Sequence, residues 1–549
     1  MKIALAQLNY HVGNFAKNTE KILSTIKTAK ENNTDLVVFS ELSVCGYPPL
    51  DLLEREEFVQ QCIEQIEIIA QQCIGIAAIV GGPSINPETK GKNLFNSAFF
   101  LHEGVVEGIQ HKTLLPNYDV FDEYRYFQPN SSYRTISYKG KKLAITICED
   151  LWDEQPVANS FAKSKLYTKS PMKELMNLEP DLVINIAASP FSYNQGEIRQ
   201  QIISNKAKKN HIPIVYVNQI GANTELVFDG SSLVVNSEGK VVKELAAFAE
   251  DLQYCELDKI EDNTTIEVKE YDKLALIHDA LVLGVKDYFN KMGFKQATLG
   301  LSGGIDSAVT VVIAARALGA ENVRVLLLPS KYSSDHSIKD AEDLAKNLGI
   351  QYDIVPIKGI VDAYEGTLSD VFEGQKPDVT EENIQARIRG TLLMALSNKF
   401  GHILLNTSNK SEAAVGYGTL YGDMNGGMSV IGDVYKTDVF DLARYMNKDG
   451  EVIPENTIVK PPSAELRPDQ KDSDSLPDYD VLDNILFNYI EKNESPEKII
   501  AQGFDAETVL KAVSLVNRNE YKRFQTPPII RVSSKAFGLG RRIPLVSKI

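Results

Sequence analysis

Short apolar runs alternate with longer polar stretches through most of this chain. In the first half the apolar runs are KIALAQL, DLVVFS, IAAIVGG, LAITIC, LVINIAA, IPIVYVN and SSLVVN. Runs of this kind are typical of buried strands, and the polar stretches between them, such as residues 18–32, are long enough for helices. The alternation therefore predicts a layered α/β fold.

Two α/β units are expected, divided by an acidic segment. Residues 1–258 form the first unit, in which LVVNSEGKVVKEL reads as a hairpin about residues 237–239, so its sheet should be mixed. Residues 259–270 are acidic and poor in apolar side chains, which is typical of a linker. Residues 271–549 form the second unit.

The second unit is expected to open with a helix over residues 271–292. The elements predicted after it are the strand QATLGL, the helix AVTVVIAARALGA, the strand NVRVLLLP, a helix over 335–348, the strand YDIVPI, a helix over 383–400 and the strand HILLNTS. This order predicts a doubly wound parallel sheet. Residues 422–432 and 453–479 look like long functional loops, because structureless loops of that length are uncommon unless they bind something.

Composition narrows the class of protein. The 549 residues are 43% apolar and 24% charged, which excludes a disordered or fibrous chain, and the net charge of −16 argues against a general nucleic-acid binder. The opening residues, MKIALAQLNYHVGN, meet Asn and His too early for a secretory signal, and no apolar run is long enough to span a membrane. We expect a cytoplasmic protein that binds small molecules. Its cysteines are scattered and without a CxxC pair, as in reduced proteins: Cys45, Cys62, Cys73, Cys148 and Cys255.

Three chemically reactive side chains follow or flank strands of the first unit. Cys148 comes directly after the apolar strand in LAITICEDLWDE, so its thiol should be exposed enough to react; Glu41 ends DLVVFSE, and Lys112 lies in HKTLLPNYDVFDEYRYF. Alone, each has an ordinary explanation: a buried inert thiol, an exposed carboxylate at a helix start and a surface lysine. Together they supply a nucleophile, a base and a cation, which a thiol needs to act at neutral pH.

These residues, within FSELSVCGYPPLDLL, KTLLPNYDVFDEYRYF and ICEDLW, resemble the glutaminase branch of the nitrilase superfamily. The resemblance implies an α/β/β/α sandwich. It also implies that Glu41 takes the thiol proton, Cys148 attacks the amide of glutamine and Lys112 stabilises the oxyanion. Glu123 matches a supporting glutamate. Tyr118, Ser189 and Gln195 match glutamine-recognition positions; relatives often carry a basic residue near Gln195, and Arg199 is the nearby cation here.

The second unit contains a phosphate-binding pattern without a Walker lysine. Ser302-Gly303-Gly304-Ile305-Asp306-Ser307 lies between a strand and a helix. Glycines let the backbone approach an anion, and the helix N-terminus attracts phosphate. Asp306 would repel a bare phosphate, so it implies a divalent cation, Mg²⁺ above all. The ordinary explanation is a Gly-rich turn capped by Asp and Ser.

SGGIDS resembles the phosphate loop of N-type ATP pyrophosphatases, which split ATP into AMP and pyrophosphate. Further motifs resemble the glutamine-dependent NAD synthetases within that group: LPSKYSSDHS, ENIQARIRG, NTSNKSEAAVGYGTLYGDMNGG, DVYKTDVFDLAR and PPSAELRPDQKDSDSLPDYDVLD. The C-terminal SSKAFGLGRRIP resembles the family tail, although relatives more often read GRDRR, so Arg541 and Arg542 receive no role.

The resemblance implies roles for residues across the second unit. Mg²⁺ would be held by Asp306 and Glu412. The ATP-binding positions are Ser302, Gly303, Gly304, Asp306, Ser307, Ser330, Arg387, Thr407 and Ser463. The positions implied for deamido-NAD⁺ are Asn383, Asp423 and Lys436.

The implied reaction joins the two units. ATP activates the nicotinate carboxylate of deamido-NAD⁺ as an acyl-adenylate, and ammonia from glutamine converts that adenylate to NAD⁺ and AMP. Free ammonia in neutral water is mostly ammonium, which is not nucleophilic, so a water-poor tunnel is expected. The family is oligomeric, and we expect a homo-oligomer.

Three alternatives remain open at the level of sequence. One is another ATP pyrophosphatase amidotransferase, such as a GMP synthetase, although Cys148 lacks the paired histidine motif of that glutaminase type. Another is a nitrilase or amidase with a regulatory nucleotide-binding module. The third is a scaffold with decayed sites, which the intact nucleophile, base, cation and phosphate loop disfavour.

Overall fold

The computed structural model describes residues 1–154, 165–262, 266, 271–468, 470–474 and 476–548. Its backbone contacts divide the chain into two units, Met1–Glu270 and Tyr271–Ile549. The predicted linker, 259–270, falls at the end of the first unit, and its residues 263–265 and 267–270 lie outside the described residues.

The first unit contains two six-stranded mixed sheets. One has the strand order β14-β1-β2-β3-β4-β5, the other has the order β13-β12-β9-β8-β7-β6, and β10 pairs with β11. The strands are β1 (Lys2–Gln7), β2 (Leu36–Val38), β3 (Ala77–Ile85), β4 (Leu94–His102), β5 (Val105–His111), β6 (Ile136–Tyr138), β7 (Lys141–Ile147), β8 (Leu182–Ala187), β9 (Ile214–Asn218), β10 (Ile220–Asn223), β11 (Leu226–Asp229), β12 (Leu233–Val235), β13 (Val241–Glu244) and β14 (Asp251–Glu256).

The two sheets pack face to face, with helices on their outer sides. Alternate residues of a strand point to opposite faces, so Ile3 and Leu5 of β1 join the core shared with β7–β9, while Ala4 and Ala6 join the core under the helices. The helices are α1 (Phe15–Glu31), α2 (Glu56–Gln72), α3 (Glu123–Tyr126), α4 (Pro171–Met176) and α5 (Gln195–Asn210). This arrangement confirms the predicted α/β/β/α sandwich.

Strand pairing explains where side chains converge in the first unit. β1, β2 and β3 pair in parallel, and so do β7, β8 and β9. Their carboxyl ends therefore meet at one edge of each sheet. The predicted hairpin is confirmed, since β12 and β13 pair antiparallel across residues 236–240.

The second unit is built on a five-stranded parallel sheet with the order β17-β16-β15-β18-β19. The strands are β15 (Ala297–Gly300), β16 (Val323–Leu327), β17 (Gln351–Ile354), β18 (Ile403–Asn406) and β19 (Met428–Ser429). The chain leaves β15 toward β16 on one side and returns to β18 on the other, so the carboxyl ends of β15 and β18 flank a crevice. Ligands bind at such a reversal of strand order in doubly wound sheets.

Helices surround this sheet. They are α6 (Lys273–Met292), α7 (Ile305–Leu318), α8 (Asp335–Leu348), α9 (Lys358–Leu368), α10 (Val379–Phe400), α11 (Lys410–Val415), α12 (Lys436–Met446), α13 (Glu455–Val459), α14 (Tyr479–Leu486), α15 (Pro496–Ala501), α16 (Ala506–Arg518) and α17 (Glu520–Arg523). The two segments predicted as loops are partly ordered: β19 lies in 422–432, and α13 lies in 453–479. Among the described residues, no helix has the length and apolarity to cross a bilayer.

Candidate active sites

The structure brings Glu41, Lys112 and Glu123 together in the first unit. Lys112 Nζ donates to Glu41 Oε1 at 2.6 Å and to the two oxygens of Glu123 at 2.9 and 2.8 Å. All three side chains are buried, Lys112 at 1% exposure. Lys112 is thus buried between two carboxylates with which it forms ion pairs. Its ordinary explanation, a surface lysine, is wrong.

Cys148 follows β7 at the point where the chain turns into a short 3₁₀ helix, Cys148–Leu151. Its φ is +42°, in the left-handed region that non-glycine residues seldom adopt. The thiol is buried, at 6% exposure, so the expectation of an exposed thiol is wrong. The reason is that the strand end lies between the two packed sheets.

Asp150 holds the turn that carries Cys148. Its Oδ2 accepts from Ile147 N at 3.1 Å, and its Oδ1 accepts from Thr113 N and Leu114 N, each at 2.9 Å. One carboxylate therefore ties the nucleophile turn to the segment that follows Lys112. Sequence reasoning missed this residue, because an acid next to a catalytic cysteine carries no signal of which backbone it will contact.

Charge and burial act against each other at this centre. Burial raises the pKa of the Cys148 thiol well above its usual value; the Glu41 carboxylate raises it further, and Lys112 opposes both. Burial alone would lower the pKa of Lys112, but Glu123 and Glu41 raise it overall. Burial raises the pKa of Glu123. The lysine thus stays an ammonium, and the thiol needs a base to ionise.

Tyr118, one of the predicted glutamine-recognition residues, contacts Glu149, a residue that sequence reasoning did not single out. Tyr118 and Tyr167 each donate a hydroxyl to Glu149 Oε1 at 2.8 Å. Glu149 is 3% exposed, and burial raises its pKa. Its place directly after the nucleophile was a signal that could have found it.

The other positions considered for glutamine recognition have separate environments: Ser189, Gln195 and Arg199. Ser189 follows β8 and donates its backbone N–H to Asn218 Oδ1 at 2.9 Å, whereas Gln195 opens α5 and is partly exposed. Arg199 is 1% exposed and pairs with Asp229 at 2.5 Å. Its charge is thus already matched by a carboxylate within the protein.

The phosphate-loop pattern forms the expected strand–turn–helix between β15 and α7. Gly303 has φ +82°, and a Cβ there would meet Ser337 O at 2.2 Å, so only glycine fits. Ser302 Oγ accepts from Gly304 N at 3.1 Å and lies 3.2 Å from Ser307 Oγ. The hydroxyls and the first N–H groups of α7 converge at the helix N-terminus.

A cavity of about 310 Å³ opens above this loop, at the carboxyl ends of β15, β16 and β18. Most of the predicted ATP, metal and deamido-NAD⁺ residues line it: Ser302, Gly304, Asp306, Ser307, Thr407, Glu412, Asp423, Lys436 and Ser463. Segments 422–425 and 460–466 also line it, which places both predicted functional loops beside the cavity.

Lys436 bridges the two carboxylates predicted to hold a metal. Its Nζ lies 2.5 Å from Asp306 Oδ2 and 3.4 Å from Glu412 Oε1, and Asn409 Nδ2 donates to Asp306 Oδ1 at 2.8 Å. Burial and the Asp306 charge raise the pKa of Glu412. Burial alone would lower the pKa of Lys436, yet the two carboxylates raise it overall.

The donor set fits Mg²⁺ held partly by a substrate. In the part of the chain that the structure describes, no three His, Cys, Asp or Glu side chains form a metal cluster. Asp306 and Glu412 supply two carboxylates on the cavity wall. Mg²⁺ is usually bound by one or two carboxylates together with substrate phosphates and water, so these two residues suit it.

Four predicted residues lie outside the described cavity lining: Gly303, Ser330, Asn383 and Arg387. Ser330 Oγ accepts from Tyr332 N at 3.2 Å, Asn383 Oδ1 accepts from Thr419 Oγ1 at 2.6 Å, and Arg387 is exposed with Nε donating to Leu420 O at 3.2 Å. Arg389, two residues on, lines the cavity instead. Side chains two apart on a helix are rotated by about 200°, so only one arginine of QARIRG can face the cavity.

Arg389 is a cation of the cavity lining that sequence reasoning missed. Its Nε donates to Leu328 O at 3.0 Å, at the carboxyl end of β16. Burial lowers its pKa to about 10, with Glu465 and Asp423 opposing that shift. Arg541, to which no role was given, binds Glu520.

Comparisons with known proteins agree across the whole chain. Residues 2–264 match the carbon-nitrogen hydrolase family, and residues 277–526 match the NAD synthase family. The chain is 46% identical over 556 residues to a glutamine-dependent NAD(+) synthetase of Synechocystis, covering 99% of this chain and 98% of that protein. It is 40% identical to the Thermotoga maritima protein of the same name, over 100% and 99% of the two chains.

Solved structures show the same likeness. The glutamine-dependent NAD+ synthetase from Acinetobacter baumannii, in complex with ADP, is similar with a TM-score of 0.77 and 41% identity. The alignment covers 99% of this chain and 98% of that one. The similarity therefore includes both units and is not confined to one motif.

Proposed function

The chain belongs to the family of glutamine-dependent NAD(+) synthetases, and from that premise we propose how its two centres make NAD⁺. The enzyme is a ligase that amidates deamido-NAD⁺ with nitrogen from glutamine and consumes ATP. AMP, pyrophosphate and glutamate leave as the other products. The family match excludes two alternatives for this chain, the GMP synthetase and the amidase with a regulatory nucleotide-binding module.

The glutaminase step belongs to the centre around Cys148. Glu41 takes the thiol proton, and the sulfur attacks the side-chain amide carbon of glutamine. Lys112 and a backbone N–H beside Cys148 stabilise the oxyanion. Ammonia leaves, and water hydrolyses the γ-glutamyl thioester to glutamate. The raised pKa of the buried thiol is what makes a paired base necessary.

Glutamine is held by groups around Glu149, Ser189 and Gln195. Tyr118 and Tyr167 orient Glu149, whose carboxylate suits the substrate ammonium. Arg199 is already paired with Asp229, so we assign the substrate carboxylate to Ser189, Gln195 and neighbouring N–H groups. These assignments rest on the family motif and on the positions given above.

The synthetase step belongs to the cavity above the phosphate loop. The anionic carboxylate of deamido-NAD⁺ attacks the α-phosphorus of ATP, forming an acyl-adenylate and releasing pyrophosphate. Gly303, Gly304 and the N–H groups of α7 cradle the phosphates, and Arg389 and Lys436 add positive charge. Ammonia then attacks the activated carbonyl, forming NAD⁺ and AMP.

Asp306 and Glu412 would hold Mg²⁺ against the ATP phosphates. When bound, the ion supplies charge neutralisation at the phosphoryl oxygens. Lys436 spans the same two carboxylates, and we propose that its ammonium turns toward the substrate phosphates when ATP binds. Asp306, Asn409 and Glu412 hold one another in place through hydrogen bonds, which keeps the acidic pair preorganised.

The proposal also includes the oligomeric state and the cellular location of the enzyme. The family resemblance supports a homo-oligomer, and the substrates are metabolites of the cytoplasm, where we place the enzyme.

The observation that carries the proposal is the buried Glu41–Lys112–Glu123 cluster beside Cys148 in a chain that also carries the Asp306–Lys436–Glu412 set. The test compares Cys148→Ala and Asp306→Ala with glutamine or ammonium as the nitrogen source. Cys148→Ala should lose glutamine-dependent synthesis by about 10³-fold or more and keep synthesis from ammonium. Asp306→Ala should lose both.

Cys255→Ala is the matched control, because Cys255 lies on β14 and is a free thiol outside the centre. It should keep both activities. Equal loss of both activities in Cys148→Ala would refute the assigned nucleophile.

A further inference from the structure

The amide of Asn96 lies between the two carboxylates of the glutaminase centre. Asn96 is on β4 and is 1% exposed. Its Nδ2 donates to Glu41 Oε1 at 2.7 Å and to Glu123 Oε2 at 3.4 Å. One NH₂ group therefore serves both glutamates, and no role in the proposed function uses it.

The hydrogen bonds at Glu41 are unequally divided between its two oxygens. Oε1 accepts from Lys112 Nζ at 2.6 Å and from Asn96 Nδ2 at 2.7 Å. A carboxylate oxygen has about two acceptor sites, so Oε1 is saturated. The described residues give Oε2 one bond, from Ala188 N at 3.0 Å. One acceptor site of the carboxylate is left, and it is on Oε2.

We propose that Asn96 is a positioning residue that makes Oε2 of Glu41 the proton acceptor of Cys148. Asn96 and Lys112 together occupy Oε1, and Ala188 N fixes the orientation of Oε2. The S–H bond breaks, the proton binds Oε2, and the sulfur electron pair forms the bond to the amide carbon. The same proton then passes to the departing nitrogen, which leaves as ammonia. This inference rests on the proposed roles of Glu41 and Cys148.

The unused end of the amide supports this role. Asn96 Oδ1 is buried and has no hydrogen-bond partner within the described part of the chain. An unsatisfied buried carbonyl destabilises a protein, so the favourable contribution of this side chain comes from its two N–H groups. The opposite orientation of the amide would set its oxygen against two carboxylates, which fixes the assignment.

A neutral donor at this position preserves the charge of the centre. Asn96 donates hydrogen bonds to both glutamates and adds no charge beside Lys112. The other groups that face the pair are Tyr47, whose hydroxyl donates to Glu123 Oε1 at 2.9 Å, and the side chains of Cys148 and Glu149. An aspartate in place of Asn96 would add a third carboxylate against the single lysine.

The test is the pH dependence of kcat/KM for glutamine hydrolysis in Asn96→Ala, Asn96→Ser and Asn96→Asp. The N–H groups of Asn96 stabilise the charged form of the carboxylates that they contact, so their loss makes protonation of the base easier. The acid limb of the profile should move upward by about one pH unit in Asn96→Ala. The shift should be smaller in Asn96→Ser, which keeps one donor, and larger in Asn96→Asp.

Ser97→Ala is the matched control on the same strand. Ser97 is also buried, but its hydroxyl contacts Ser84 Oγ at 2.7 Å and His111 Nδ1 at 2.8 Å, away from the glutamates. Its acid limb should coincide with that of the wild type. Synthesis from ammonium should be unchanged in every variant, because it depends on the second unit, and thermal unfolding of each variant reports whether the first unit is folded.

An acid limb in Asn96→Ala that coincides with the wild type would overturn the inference, and so would a loss of rate at all pH values without a shift. If Asn96→Ala does not fold, the position of the acid limb in Asn96→Ser tests the inference instead. Cys148→Ala in the same assays separates the two proposals. If Cys148→Ala still hydrolyses glutamine, the proposed function is refuted. If Cys148→Ala abolishes glutamine hydrolysis but the acid limb of Asn96→Ala does not shift, only the inference about Asn96 is refuted.

Discussion

Single residues in the glutaminase centre work in conformations and environments that a free side chain would avoid. Cys148 has a positive φ, and Asp150 holds that turn with three backbone hydrogen bonds. Lys112 is almost wholly buried, yet its charge is retained because two carboxylates contact it. A strained backbone or a buried charge persists only where several contacts from neighbouring residues hold it in place. Such features concentrate at functional sites.

His111, next to Lys112 in sequence, should make the first unit sensitive to acid. Burial lowers its pKa to about 4, and Arg134 adds to the shift. Its folded-state pKa lies below the unfolded value of about 6.5, so the neutral ring is favoured in the fold. The associated stability is full above pH ~6.5 and is lost as the pH falls toward 4, by up to about 3 kcal/mol.

The measurement compares thermal unfolding of the wild type and His111→Gln between pH 7.5 and 4.5. The glutamine variant cannot titrate, so the difference in Tm between the two proteins should shrink or reverse as the pH falls. Parallel Tm profiles across this range would contradict the assigned shift.

At the scale of elements, strand ends and helix starts place the chemistry. β7 delivers Cys148, β8 leads to Ala188, and the turn between β15 and α7 forms the phosphate loop. Helix register then selects among neighbours: α10 presents Arg389 to the cavity and turns Arg387 to solvent. α10 also begins at Val379, capped by Asp378, earlier than the predicted 383, because a capping box with Glu381 starts the helix there.

Gly303→Ala should disable the phosphate loop without harming the glutaminase. The added Cβ would sit 2.2 Å from Ser337 O, so the loop must move. A displacement of about 1 Å at a reacting group can cost about 100-fold, and we expect a loss of that order in kcat/KM for ATP. Glutamine hydrolysis by the other unit should persist.

Gly349→Ala is the control for backbone strain alone. Gly349 ends α8 with φ +67°, but nothing lies within 4 Å of its added Cβ. It should cost about 1–2 kcal/mol of stability and leave the kinetics intact. Equal kinetic losses in both variants would show that the close approach of Gly303 to Ser337 is not what matters.

At the scale of the whole molecule, one chain contains two chemistries in two separately cored units. One unit buries a thiol among carboxylates, and the other opens a cavity over a phosphate loop. The ammonia that the first unit releases can react in the second unit only if it stays unprotonated on the way. Exclusion of water is the physical means by which enzymes protect such reactive species.

The enzyme should therefore deliver ammonia to the adenylate without mixing it with bulk water. An ammonia-consuming enzyme added to the assay should leave glutamine-dependent NAD⁺ synthesis nearly unchanged and abolish synthesis from low external ammonium. Glutamate and NAD⁺ should form in nearly equal amounts. Abolition of glutamine-dependent synthesis by the scavenger would show that ammonia is released to solvent.

Much of the fold and the two centres could be predicted from sequence, because the signals are local. Buried strands of five or six residues, the hairpin about residue 238 and the glycines at 303 and 304 each follow from composition over a short stretch. Glu41, Lys112 and Cys148 could be assigned because thiol chemistry requires a base and a cation, and because the motifs around them resemble a known family.

Other features depended on contacts between residues far apart in the chain, and only the tertiary structure decided them. The burial of Cys148 follows from the packing of two sheets, and the choice of Arg389 over Arg387 follows from the rotation of α10. The bonds of Asn96 and Asp150 join segments 27 to 55 and 36 to 37 residues apart. Sequence determines which groups are available, but hydrogen bonding and burial depend on distances in space, and those exist only once the chain has packed.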